Sequence, residues 1–193
     1  MFTTTTAQPT RSISPFVAAG TVTAAAVVGL GAVVIAVRLA PMSFVVAAAL
    51  LPLTAAAIVD AAERRLPNRL VLLSIVPVVF VCVLDPFIGR LTAVGGVVLG
   101  ALFLAVPLLV LHLIAPTSTG FGDVKAAVAL GATLGLVQPE LALWTLCLAS
   151  AITAAWGITR RARHVALGPG LVAAAFTVLL VVAWAGIEVS AWH

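Results

Sequence analysis

The chain has no tyrosine, only two cysteines and few charged residues. Of its 193 residues, 8% are charged and 63% are hydrophobic, whereas a soluble domain has roughly 25% and about 45–50%. Ten Lys and Arg and six Asp and Glu residues are too few to cover a soluble fold of this size. A soluble enzyme, a disordered chain and a disulfide scaffold are therefore excluded, and the mean hydropathy of +1.28 indicates a polytopic helical membrane protein.

Neither the cysteines nor the positive charge indicates a metal or a nucleic acid. Cys82 and Cys147 stand alone in apolar stretches without CxxC spacing, and we interpret them as small core residues. No cofactor or metal is expected. The net charge is +4, and the basic residues lie in short clusters between apolar runs, where the positive-inside rule predicts them.

The apolar runs divide the chain into a tail and one membrane domain. Residues 1–15 are polar and rich in Thr, Pro and Ser, which predicts a disordered tail. Residues 16–193 are predicted to form a single all-α transmembrane bundle of six to seven spans. The candidate spans are Phe16–Val37, Met42–Val59, Leu70–Leu84, Leu91–Ile114, Val124–Val137, Leu141–Ile158 and Gly168–Ile187. The first run is too long for a signal-peptide core of about 7–15 residues, so it is expected to be a retained anchor.

The basic residues predict the orientation of these spans. With a cytoplasmic N-terminus, only Arg38 and Arg90 lie on the outer side, and the other eight basic residues lie on the inner side. This bias predicts a cytoplasmic N-terminus. The eight inner residues are Arg11, Arg64, Arg65, Arg69, Lys125, Arg160, Arg161 and Arg163.

Two of the runs are short for a membrane span. Leu70–Leu84 and Val124–Val137 correspond to about 21–23 Å of helix, against roughly 30 Å of hydrocarbon. Either these helices begin inside the inner leaflet beside a water-filled dip, or the bilayer thins around them.

The first polar cluster begins where the second run ends and reads Asp60-Ala-Ala-Glu63-Arg64-Arg65-Leu66-Pro67-Asn68-Arg69. Pro67 disfavours helix for the residue before it, and Pro67-Asn68 predicts a turn into the next helix, with Asn68 as its N-cap. Asp60 alone is either an interfacial charge or a functional acid.

The second polar cluster contains Gly120-Phe121-Gly122-Asp123. The two glycines permit backbone conformations closed to other residues and let another chain approach closely. Asp123 is placed near a helix N-terminus, where the helix dipole favours a carboxylate. The alternative interpretation is a simple helix cap with Lys125 as its counter-ion.

The two polar clusters together indicate a pair of carboxylates that could act in one site. The predicted topology places Asp60 and Asp123 on the same cytoplasmic face at similar depth, with Glu63 as the third acidic residue on that side. Two carboxylates that meet in a partly dehydrated site hold one proton between them and titrate as a unit. The ionised partner would accept a proton from water as it attacks a peptide carbonyl, while the protonated partner hydrogen-bonds the developing oxyanion. The dipole argument favours Asp123 as the ionised partner and Asp60 as the acid.

Three segments in this order resemble the type IV prepilin peptidases, the bacterial aspartic peptidases of the GxGD class. The segments are Asp60-x5-Leu66-Pro67-Asn68, Gly120-Phe121-Gly122-Asp123-Val124-Lys125, and Gly168-Pro169 after a basic loop. The resemblance covers roughly residues 45–185.

The resemblance implies a multi-pass enzyme of the bacterial cytoplasmic membrane. Its catalytic pair falls on Asp60 and Asp123, and the implied reaction removes the short basic leader of prepilin or pseudopilin-like precursors at the cytoplasmic face. The supporting residues implied by the two motifs are Gly120, Gly122, Lys125, Pro67 and Asn68.

The chain departs from the family pattern in three places. It lacks the N-terminal segment with paired CxxC motifs that is associated with N-methylation, so it resembles the short, peptidase-only form. Ala126 stands where a larger apolar residue usually follows the lysine, and Ala166-Leu167 replaces the usual Pro-Phe before Gly-Pro. The last two departures are peripheral to the motifs.

Three other functions are consistent with parts of the sequence. A GxGD peptidase of the presenilin or signal-peptide-peptidase kind would share the chemistry, but that kind usually has a Tyr-Asp first motif and this chain has no tyrosine. A small transporter or channel could use the aspartates to bind cations or protons. A non-catalytic assembly subunit would tolerate the loss of either aspartate.

Overall fold

The computed structural model describes residues 43–63, 68–84, 92–115, 120–160 and 167–185, which form six α-helices and no strand. The predicted all-α fold is confirmed for these residues. The predicted tail 1–15, the run Phe16–Val37 and Pro67 lie outside them. In chain order the helices are α1 (Ser43–Glu63), α2 (Asn68–Leu84), α3 (Thr92–Ile114), α4 (Phe121–Gly135), α5 (Glu140–Arg160) and α6 (Leu167–Ala185).

The six helices coincide with the last six predicted runs, but several extend further at their polar ends. α1 continues past Val59 to Glu63, so Asp60 lies within its last turns. α4 begins at Phe121, three residues before the apolar run, so Asp123 lies in its first turn. Hydropathy marks only the apolar part of a helix, and both aspartates belong to the polar extensions that it leaves out.

The outer surface of the bundle is strongly apolar. Two segments, Val94–Ile114 and Gly168–Ala185, are long and apolar enough to cross a membrane by length and composition. α2 and α4 have 17 and 15 residues, which correspond to about 25 and 22 Å. Apolar side chains exposed to this extent are unfavourable in water and suited to contact with lipid. On α2 they include Leu72, Leu73, Val76, Val79, Phe80 and Val83.

The short helix α4 lies at the centre of the bundle. Eleven of its fifteen residues are buried, and it contacts all five of the other described helices. Its small residues Ala127 and Ala129 are fully buried, as are the larger Leu130 and Leu134. Because every neighbour packs on α4, the position of Asp123 in its first turn depends on the whole bundle.

Four glycines bring α3 and α4 into direct backbone contact. Gly96 faces Gly135 and Gly100 faces Gly131, so the two helices run antiparallel. A Cβ atom at any of the four positions would lie closer than 3.0 Å to backbone atoms of the other helix. Small residues spaced four apart permit such close approach between membrane helices, and this contact sets the position of α4 against α3.

The helix α6 completes the end of the bundle that carries the aspartates. It packs against α1, α4 and α5, and most of its inner residues are buried, including Leu171, Ala174, Ala175 and Leu179. Its N-terminal turn therefore lies beside the C-terminal part of α1 and the first turn of α4.

Candidate active site

Two buried carboxylates face the same glycine at one end of the bundle. Asp60 is 7% exposed and Asp123 is 9% exposed. The position of a Cβ atom on Gly168, in the first turn of α6, lies 3.0 Å from Asp60 Oδ2 and 3.3 Å from Asp123 Oδ1. These two carboxylate oxygens are therefore at most about 6 Å apart, which is the range in which one charge strongly affects another. The structure thus brings together the two aspartates that the sequence singled out.

The local geometry of the GxGD segment orients the Asp123 carboxylate. Gly120 is the N-cap residue of α4, with the extended backbone angles φ −72° and ψ 145°, and Asp123 is the third residue of the helix. The Asp123 carboxylate accepts a hydrogen bond from the backbone N–H of Gly120, while its own N–H donates to the Gly120 carbonyl at 3.0 Å. A carboxylate that accepts the N–H of the N-cap residue three positions earlier is one half of a capping box.

A second backbone group holds Asp123 from another helix. The N–H of Gly168 also donates to the Asp123 carboxylate. Asp123 Oδ1 faces Gly168 and Oδ2 faces Gly120. Hydrogen bonds from neutral backbone donors stabilise an ionised carboxylate without adding a positive charge.

No basic side chain in the described part of the chain neutralises the pair. Among the described residues, the one charged group that acts on Asp123 is Asp60, and this repulsion acts equally on both carboxylates. Two buried carboxylates at this separation repel each other when both are ionised, so the arrangement favours a single proton shared by the pair. One ionised and one protonated carboxyl group can act as base and acid in the same reaction.

Lys125 contacts Asn68 and not the aspartates. Its Nζ donates to Asn68 Oδ1 at 3.5 Å, and it lies 5.2 Å from the centroid of the Phe121 ring. The Phe121 ring also packs against His112 at 5.8 Å between centroids. These contacts do not support the alternative interpretation in which Lys125 is the counter-ion of Asp123. Lys125 instead joins the N-terminal part of α4 to the start of α2.

The resemblance also implied Asn68, Gly122 and Pro67 as residues that support the site. Asn68 is the first residue of α2 and is exposed, and its side-chain oxygen accepts from Lys125. Gly122 is half-buried at the second position of α4. Pro67 lies outside the described residues.

Sequence reasoning did not identify the role of Gly168. The Gly168-Pro169 pair stood out only as a helix start after a basic loop and as part of the resemblance. The sequence gives no spacing rule that predicts which side chains the N-terminus of α6 would face, because this contact depends on how α6 packs between α1 and α4.

The described residues form an all-helical bundle with apolar outer faces and a buried pair of carboxylates at one end, which is a candidate acid–base site. A sequence model of the type IV leader peptidase family matches residues 47–158, a range that includes both aspartates. The chain belongs to this family, which confirms the resemblance to prepilin peptidases. It is thus a leader-peptidase-type protease from a membrane-embedded family. No curated protein and no solved structure matches the chain significantly.

Proposed function

We propose that this protein is an aspartic endopeptidase of the bacterial cytoplasmic membrane that removes the basic leader peptide from prepilin or pseudopilin-like precursors at the cytoplasmic face. Asp60 and Asp123 are the catalytic pair in this proposal. The observation that carries it is the approach of these two buried carboxylates to the same point beside Gly168, inside a chain of the leader peptidase family.

The proposed reaction uses one ionised and one protonated carboxyl group. The ionised group accepts a proton from a water molecule, and the water oxygen forms a bond to the carbonyl carbon of the scissile peptide. The protonated group gives its proton to the carbonyl oxygen, which stabilises the tetrahedral intermediate. When the C–N bond breaks, the amine nitrogen takes the proton that the first group received from water. The remaining hydroxyl proton returns to the second group, so both carboxyl groups regain their initial states.

The supporting residues act around this pair. Gly120 orients the Asp123 carboxylate through its N–H, and Gly122 leaves the first turn of α4 without a side chain beside Phe121. Lys125 and Asn68 tie the starts of α4 and α2 together. For Pro67, the sequence predicts a supporting role in a turn that leads into α2. None of these residues supplies a proton in the proposed reaction.

The proposal includes a single membrane domain over residues 16–193, with six to seven spans and a cytoplasmic N-terminus. The positive-inside bias supports this orientation. The exposed Trp144 and Trp184, near the start of α5 and the end of α6, lie at the opposite end of the bundle from the carboxylates. This position agrees with an aromatic belt at the outer interface.

The experiment is cleavage of a prepilin-like precursor, followed by its shift in mobility on a gel, with Asp60→Asn and Asp123→Asn as the test variants. Each substitution preserves size and removes the carboxylate, so each should lower the rate at least about 10³-fold. Glu63→Gln is the matched control, because Glu63 ends the same helix as Asp60, and it should keep the activity of the parent chain. Processing by either asparagine variant at the normal rate would contradict the proposal and favour a transporter or an assembly subunit.

A further inference from the structure

Gly168 is the one described glycine that faces both carboxylates. It is buried at the second position of α6. A Cβ atom there would lie 3.0 Å from Asp60 Oδ2 and 3.3 Å from Asp123 Oδ1, both shorter than an optimal contact of about 3.5 Å. Gly120, by comparison, faces Asp123 alone, and its Cβ position lies 3.8 Å from the nearer oxygen. Any side chain at position 168 would therefore crowd the pair.

The backbone of Gly168 also fixes the direction of Asp123. Its N–H donates to the Asp123 carboxylate, on the oxygen side opposite to Gly120. The first residues of a helix have N–H groups without partners inside the helix. In α6 one of these is missing because Pro169 has no N–H, so the N–H of Gly168 is among the few donors at this end. Asp123 is thus held by the N-terminal turns of two different helices, α4 and α6.

We infer that Gly168 is a positioning residue for the cleavage reaction, which orients the Asp123 carboxylate toward Asp60 through its N–H and leaves the space between the two carboxylates free of any side chain. This inference rests on the proposed peptidase function. The space matters because the attacking water and the scissile carbonyl must both lie between the acid and the base. A methyl group at position 168 would occupy part of that space and displace at least one carboxylate by a few tenths of an ångström.

The test compares Gly168→Ala with Gly170→Ala in the purified full-length protein. The two glycines lie in the same turn of α6, but a Cβ atom at position 170 would meet Thr153 Oγ1 at 2.8 Å, on α5. Both substitutions therefore add a methyl group at a crowded position, and only the first crowds the carboxylates. We expect Gly168→Ala to lower kcat at least about tenfold with KM changed by less than about threefold, since misplaced reacting groups affect the chemical step. Gly170→Ala should keep kcat within about twofold of the parent value.

A stability measurement keeps the inference testable if Gly168→Ala folds poorly. The crowding involves Asp60, so replacing Asp60 with alanine removes one of the two contacts. Thermal unfolding in detergent should show that the Asp60→Ala/Gly168→Ala double variant is less destabilised than the sum of the two single variants predicts. Strictly additive effects would show that position 168 does not contact Asp60 and would contradict the inference.

The outcomes separate this inference from the peptidase proposal. A Gly168→Ala variant with the parent kcat, measured beside inactive Asp60→Asn and Asp123→Asn variants, would overturn the role of Gly168 and leave the peptidase proposal intact. An equal loss of kcat in Gly168→Ala and Gly170→Ala would also overturn it, because the effect would then come from general crowding of α6. Cleavage by the two asparagine variants would overturn the peptidase proposal itself.

Discussion

Asp60 Oδ2 and Asp123 Oδ1 lie within 3.0 and 3.3 Å of one point, the position that a Cβ atom on residue 168 would occupy. The two residues belong to different helices, α1 and α4, and the point between them belongs to a third, α6. Three helix ends therefore meet at one place. The end of α1 contributes the Asp60 carboxylate, the start of α4 contributes the Asp123 carboxylate, and the start of α6 contributes the Gly168 N–H. This meeting of helix ends makes the pair a candidate for acid–base chemistry.

The rate of cleavage should depend on pH through the pair as a unit. At low pH both carboxyl groups are protonated and no base is present, so the rate falls. At high pH both are ionised and no acid is present, so the rate falls again. We expect a bell-shaped profile of kcat/KM whose two apparent pKa values belong to the pair and not to either residue. The measurement is cleavage of a precursor by the purified protein across the pH range at constant ionic strength.

Binding provides the control for this pH profile. The Asp60→Asn variant should bind the precursor without cleaving it. Its affinity for the precursor, measured over the same pH range, shows how much of the pH dependence of kcat/KM comes from binding and how much from ionisation of the carboxylate pair. A rate that rises or falls with a single ionisation would contradict a shared proton between the two carboxylates.

The contact between α3 and α4 should be sensitive to a single methyl group. Gly100→Ala would place a Cβ atom closer than 3.0 Å to the backbone of α4, and overpacking of this kind lowers the free energy of unfolding by roughly 1–3 kcal/mol. Gly95→Ala is the matched control in the same helix, because no heavy atom lies within 4 Å of its Cβ position. It should leave stability unchanged or raise it by about 0.5–1 kcal/mol. Equal unfolding temperatures for the two variants in the same detergent would contradict the close contact.

The proposed orientation can be tested with single cysteines. Arg69 and Glu140 are both exposed and lie at opposite ends of the bundle, at the starts of α2 and α5. In a Cys82→Ser/Cys147→Ser background, Glu140→Cys should react with a membrane-impermeant maleimide added to spheroplasts, because the proposed orientation places it on the outer side. Arg69→Cys should react only after the membrane is permeabilised. The reverse pattern would place the carboxylates on the outer side and contradict cleavage at the cytoplasmic face.

The helices could be predicted from the sequence because hydropathy is a local property. The ends of the runs Leu70–Leu84 and Gly168–Ile187 lie within two residues of the ends of α2 and α6. The prediction was less complete at polar ends, where α4 begins three residues before its apolar run. There the helix is extended by the hydrogen bonds of Gly120 and Asp123 and not by a run of apolar residues.

The close packing of α3 on α4 was also missed, although its signal is present in the sequence. Gly96 and Gly100 are four residues apart, as are Gly131 and Gly135, a spacing that indicates close helix contact in membranes. The spacing alone does not state which two helices meet. Their antiparallel pairing became visible only in the fold.

The amino-acid sequence by itself determined that this chain is an apolar helical protein, and its motifs indicated which two acids to consider and the family to which it belongs. Composition and periodicity act over a few residues, so they can be interpreted without knowing the fold. The distance between Asp60 and Asp123, the hydrogen bonds that orient Asp123 and the place of Gly168 between them were decided only by the tertiary structure. They depend on how α1 and α6, from distant parts of the chain, pack against α4, whose small residues Ala127 and Gly131 are buried.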